Sequence, residues 1–288
     1  MKAKSILSNL EWGQPTSFRV RELGETRVHL IAETRGLSLI LLLAMCSLAP
    51  AQWLKLPSQG VPQTNDGKPD LTAPAPRRPD RKPDLFGIWQ IESPKYLINL
   101  AADFKPGELP MQPWAEALTK ERGTGVHASE EPQANCLPPG LPRINATPNP
   151  FKIYQPEPGV VVILYEAFNL YRQIFLDGRE LGKDPNPSWL GYSVGRWDGD
   201  TLVADTTGFN GKTWLDQAGH PTTDALHVTE RFRRRDFGHL EIQTTIDDPK
   251  VYTKPWSAIE VMELLPDTEL MEFACNENEK DVKHLPGK

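Results

Sequence analysis

The sequence predicts a mainly β protein: an antiparallel meander of short strands closed as a barrel, with a β-sandwich as the alternative, one short helix and a long proline-rich loop region. Three observations carry this. After Phe151, short apolar or alternating runs recur at near-regular spacing. Turn signals separate many of them, namely Asp177-Gly178, Asp198-Gly199, Asp236-Phe237-Gly238 and Pro266-Asp267. A meander of that length leaves unpaired edges unless it closes or folds over itself.

In chain order, the folded part begins at 84–89, Asp-Leu-Phe-Gly-Ile-Trp. Residues 94–158 hold twelve prolines and read as loop. A single helix is expected at Gln112 to Arg122, where Pro113 suits the first turn. Pro138-Pro139-Gly140 and Pro148-Asn149-Pro150 are rigid turns. The run Gly159 to Tyr165 is continuously apolar, as in a strand covered on both sides. Strands are then expected at Leu170 to Leu176, Trp189 to Trp197, Thr201 to Thr207, Leu226 to Arg235, His239 to Ile246, Ile259 to Leu265 and Glu269 to Cys275.

The remainder of the chain speaks to compartment. With 39% hydrophobic and 24% charged residues, net charge −6 and pI near 5.6, the 288 residues are ordinary for a globular protein. That balance excludes a multi-pass membrane protein and gives no footprint for nucleic acid. Residues 36–49 form one long apolar run, flanked by Arg35 and closed by Ala49-Pro50-Ala51, as in a secretory signal. Four glutamates lie before Arg35, so residues 1–51 read as a signal with an over-long extension, and translation is expected to begin nearer Val20 or Val28. Cleavage after Ala51 leaves 237 residues with net charge −8 and two cysteines, Cys136 and Cys275. In an exported chain such a pair reads as one disulfide, with two unrelated thiols as the alternative. The expected localisation is periplasmic or extracellular, with no membrane span after cleavage. Residues 52–83, with seven prolines and Lys-Pro-Asp-Leu twice (68–71 and 82–85), read as a disordered tether. The β domain is expected over 84–280, and 281–288 as a tail.

The blocks NCLPPGLPR (135–143), SVGRWDGDTLVADTTGF (193–209) and ALHVTERFRRRD (225–236) resemble a family of exported bacterial proteins. The resemblance implies an exported domain and no particular activity. Gly87-Ile88-Trp89, at the start of a meander, is similar to the G-x-W opening of lipocalins and other calycins. That likeness implies a barrel closed at one end by the tryptophan, often against an arginine from a late strand. About sixty loop-rich residues between the first two strands depart from the lipocalin pattern.

Candidate chemistry concentrates at 213–230, which holds Asp216, His220, Asp224, His227 and Glu230. One reading makes His220 or His227 a general base oriented by Asp216 or Glu230, in a hydrolase, lyase or isomerase. A second gathers Asp216, His220 and His227 around a divalent metal, although no known ligand spacing is matched. The plainer reading is turn and capping work. Otherwise no cofactor is expected. Alternation supplies a further clue, since side chains two apart share a face of a strand. Glu230 then sits in the apolar row Leu226, Val228, Phe232, and Arg172 between Leu170 and Ile174. Arg196 ends the row Leu190, Tyr192, Val194. Charges in such rows must pair or face a wet cavity. The leading expectation is binding of a small, partly apolar molecule, its polar end fixed by Arg172, Arg196 and Glu230 and its wall formed by Tyr192, Trp197 and Trp214. A surface module meeting a partner protein through 94–158 is a third reading. No Walker A loop, dinucleotide fingerprint or G-x-S-x-G elbow is present.

Overall fold

The computed structural model describes Ser58, residues 60–157 and residues 159–275. The expected signal at 1–51, Cys46 and the tail at 281–288 lie outside them. Nine strands follow one another around a closed barrel: β1 (Gly87–Ile91), β2 (Phe151–Glu157), β3 (Val160–Tyr165), β4 (Leu170–Phe175), β5 (Tyr192–Asp198), β6 (Thr201–Thr207), β7 (His227–Arg234), β8 (His239–Asp247) and β9 (Trp256–Leu264). β9 returns to pair with β1, Trp89 opposite Leu264, so no edge remains open and the fold is a barrel rather than a sandwich.

Three details differ from the sequence expectation. β4 and β5 run parallel, Ile174 opposite Ser193. The chain from Leu176 to Gly191 therefore crosses back along the barrel, and Asp177-Gly178 turns it out of the strand without making a hairpin. β2 was not expected, because Lys152, Tyr154 and Pro156 interrupt its apolar row. The stretch Glu269 to Cys275 is not a strand. Its backbone is held by side chains instead: Met271 N donates to Glu166 Oε2 at 2.9 Å and Phe273 N to Asn169 Oδ1 at 3.3 Å.

The register gives the barrel two unlike ends. The hairpins β2–β3, β5–β6 and β7–β8 gather at one end with the start of β1. Trp89 is fully buried there, and its Nε1 donates to Leu85 O at 3.1 Å. The Arg234 guanidinium lies 4.9 Å from the Trp89 ring and donates to the carbonyls of Asp84, Phe86, Asp236 and Phe237. This is the plug that the calycin likeness implies. Burial pulls the Arg234 pKa down to about 10.

At the opposite end lie the connections 92–150, 208–226 and 248–255. The first carries α1 (Lys95–Ile98), α2 (Pro113–Gly123) and three 3-10 turns. α2 starts at Pro113, which fills an N-terminal position where no amide partner is needed. The connection folds over the mouth and enters it: residues 139–147 are all buried. The Cys136–Cys275 disulfide, with Cα atoms 5.7 Å apart, ties the start of that inserted stretch to the carboxy-terminal segment.

Residues 60–83 also differ from the expected free tether. The two Lys-Pro-Asp-Leu copies form equivalent turns: Asp70 N bonds Pro62 O and Thr64 N bonds Lys68 O, as Asp84 N bonds Pro76 O and Arg78 N bonds Lys82 O. Gly67 and Arg81 take the matching left-handed position. The first copy packs at the closed end, where Phe237 N donates to Ala73 O. The second delivers Leu85 to the core. Local side-chain bonds from Asp70 and Asp84 to amides two residues on make these turns without a hydrophobic core of their own.

Candidate functional site

Inward-facing positions along the barrel fall into layers. Leu202, Phe232, Leu240, Ile242 and Met262 fill the end nearest Trp89, while Val228, Ile246, Trp256 and Ala258 lie toward the mouth. Between them runs a polar stratum. Arg172 on β4, Ser193 on β5, Thr206 on β6, Glu230 on β7, Thr244 on β8 and Glu260 on β9 are all buried.

The Arg172 guanidinium organises this layer. Its Nε donates to Ser193 Oγ at 2.9 Å and its Nη2 to Thr206 Oγ1 at 2.8 Å. Nη2 also stands 2.6 Å from Glu230 Oε2. Burial works against the charge on Arg172, yet the Glu230 carboxylate and Tyr165 hold its pKa above the ordinary value. Glu230 Oε1 accepts from Asn145 Nδ2 at 2.8 Å, and the Tyr165 hydroxyl donates to Asn145 Oδ1 at 3.0 Å. Burial pushes the Tyr165 hydroxyl well above its usual range. Among the described residues, Glu260 is paired only with Thr244 Oγ1, at 3.4 Å. Burial, reinforced by the charge of Glu230, raises its pKa to about 8, so it holds its proton at neutral pH. Also among the described residues, Arg172 Nη1 and Glu260 Oε1 have no hydrogen-bond partner although both are buried. Unsatisfied polar atoms of this kind are costly and therefore uncommon in folded proteins.

The expected ligand set divides. Arg172 and Glu230 face inward and meet. Arg196 and Tyr192 face outward: Arg196 pairs with Asp205 at 2.9 Å on the outer wall, and Tyr192 is exposed. The inward row of β5 is Ser193, Gly195 and Trp197. Gly195 fixes it, since a Cβ there would lie 2.7 Å from Ile174 Cγ2. Trp197 is partly buried against the core. Trp214 is buried beneath Arg122, whose guanidinium lies 4.2 Å from the ring, so it belongs to the mouth cover and not to the inner wall.

The catalytic set divides three ways. Asp216 and His220 pair at 2.6 Å in the 208–226 connection. His227 lies on the outer face of β7, 3.4 Å from Asp205. Glu230 lies inside. The Asp216 carboxylate also accepts from Leu100 N, Gly219 N and His220 N, so it ties the end of α1 to this connection. Among the described residues, no hydroxyl or thiol is bonded to His220 Nε2. Through the bonds of its carboxylate the pair joins the end of α1 to the 208–226 connection over the mouth. His227 stands apart from Asp216 and His220, and among the described residues no group of three or more His, Cys, Asp or Glu is placed to hold a metal.

Sequence reasoning missed Glu260 and Asn145. The signal for Glu260 was present: Trp256, Ala258, Met262 and Leu264 form an apolar row interrupted by one carboxylate. Asn145 lies in a loop, where no periodicity marks a buried side chain.

No family model and no curated protein matches the chain. Among solved structures, it is similar to an alanine mutant of the fluorescent protein UnaG, with 18% sequence identity over 64% of this chain and 97% of that one, at a TM-score of 0.32. The barrel assignment rests on the strand pairing itself.

Proposed function

We propose that the chain is an exported barrel protein that binds a small, partly apolar molecule inside the barrel, with its polar end at the Arg172–Glu230–Glu260 stratum. The observation that carries this reading is the placement of three ionisable side chains in a buried layer with Arg172 Nη1 and Glu260 Oε1 left unpartnered. Where a barrel needs only stability, apolar side chains of similar volume serve as well or better than a buried ion pair. Polar atoms converging in an apolar enclosure are the usual means of orienting a small ligand. The Cys136–Cys275 disulfide supports a periplasmic or extracellular location.

The test uses the neutral apolar fluorophore 1-N-phenylnaphthylamine on the purified protein. Saturable enhancement at one probe per chain is expected. Ala204→Leu adds bulk beside Glu230, where Ala204 faces it across β6 and β7, and should weaken binding at least tenfold. Arg196→Ala on the outer wall should leave it unchanged. Unsaturable binding, or binding indifferent to Ala204→Leu with the near-UV dichroism intact, would place the probe on the outside and end the proposal.

A further inference from the structure

The polar stratum already has an occupant drawn from the chain itself. Asn145 reaches it from the inserted stretch 139–147, and its carboxamide is held at both ends, by Glu230 Oε1 as acceptor and the Tyr165 hydroxyl as donor. Leu141 and Ile144 accompany it as buried apolar side chains. This arrangement has the composition of a bound ligand: one neutral donor–acceptor group on an apolar body.

We propose that Asn145 stands in for the natural ligand, which presents a neutral amide-type group (a carboxamide, lactam or urea) to Glu230 and Tyr165 and displaces stretch 139–147 from the mouth. The inference rests on the binding function proposed above and names the class of molecule bound there. Three observations support it. The donor and acceptor facing Asn145 are fixed by buried neighbours: Glu230 by Arg172 and Tyr165 by its place on β3. Arg172 and Glu230 already balance one another, and Glu260 is uncharged at neutral pH, so an ionic ligand head would bring an uncompensated charge into the barrel. The stretch that must move has no strand pairing. Its backbone hydrogen bonds are local, among them Ile144 N to Gly140 O and Asn145 N to Pro142 O at 2.9 Å, and the Arg143–Glu131 ion pair that anchors it lies within the same 92–150 connection.

Octanamide, octanoate and octylammonium share a tail and differ only in the head group. Titrated into the full protein at pH 7 and followed by calorimetry, octanamide should bind at least tenfold more tightly than either ion. In hydrogen exchange on the wild-type protein, octanamide should speed exchange of the 139–147 amides while slowing that of β7 and β9. Asn145→Ala, or Asn145→Ser where alanine impairs folding, should tighten octanamide binding about tenfold, because the internal competitor is gone. Tighter binding of an ion, or slower exchange across 139–147 with octanamide, overturns the inference. If phenylnaphthylamine binds saturably and octanamide does not, this inference fails alone; if neither binds, both fail.

Discussion

Glu260→Gln is the most informative single substitution, because it changes one proton-binding group without changing shape. Glu260 is fully buried, and its pKa is raised from 4.5 to about 8 by burial and then by Glu230. For an acid raised in the folded state, the sign is opposite to that of a carboxylate whose pKa is lowered on folding. Between pH 4.5 and about 8, the folded protein keeps the proton and the unfolded chain sheds it, so stability falls as pH rises through that window. A tenfold difference in proton affinity is worth about 1.4 kcal/mol, so the rise in the Glu260 pKa destabilises the wild type at pH 8 by roughly 4–5 kcal/mol relative to pH 4. Glutamine offers the same shape with no proton to lose. Urea denaturation at several pH values should therefore show wild type and Glu260→Gln with similar stability near pH 4.5, and the variant more stable by roughly 3–5 kcal/mol at pH 8. A difference between the two proteins that stays constant with pH would mean that Glu260 titrates like a solvated group, and the buried stratum would lose its physical basis.

Other consequences follow from the same contacts. Arg172→Met alone strands the Glu230 charge and should cost about 3–5 kcal/mol, while adding Glu230→Gln should recover much of that loss in a double-mutant cycle. Asp216→Asn weakens four hydrogen bonds, one that ties the end of α1 to the 208–226 connection and three that hold the turn of that connection; about 2–3 kcal/mol of stability should go, with faster amide exchange at Leu100, Gly219 and His220. Arg234→Met removes the donor to four closed-end carbonyls and the contact with Trp89, and thermal denaturation should show a loss of about 2–4 kcal/mol. Reduction of Cys136–Cys275 frees one anchor of the inserted stretch and should speed exchange at 139–147 before it affects the strands.

How far the sequence reveals this arrangement depends on the kind of segment. β7 alternates cleanly between apolar and polar residues, and that period of two placed Glu230 inside correctly. The same reasoning placed Arg172 on β4. It inverted β5, because Tyr192 and Val194 look more interior than Ser193 and Gly195. Close packing of Gly195 against Ile174, and the bond from Arg172 to Ser193, decide that face, and both involve residues distant in sequence. The parallel β4–β5 pair was hidden for a related reason: Asp177-Gly178 specifies a turn but not where the chain goes next. The duplicated Lys-Pro-Asp-Leu was visible as a repeat, while its fit to the closed end depends on Leu71 meeting Gly238 and Leu85 meeting Trp89 in space. Asn145 had no local signal at all, since its burial comes from the whole connection folding into the mouth.

A ¹³C NMR titration of the glutamate side-chain carboxyls, with Glu230→Gln and Glu260→Gln assigning the two interior signals, reaches the heart of the account. The Glu260 signal should titrate with its midpoint near pH 8, and both interior signals should move when octanamide is added. Glutamates that all titrate together near their solution value, with none responding to the amide, would contradict it.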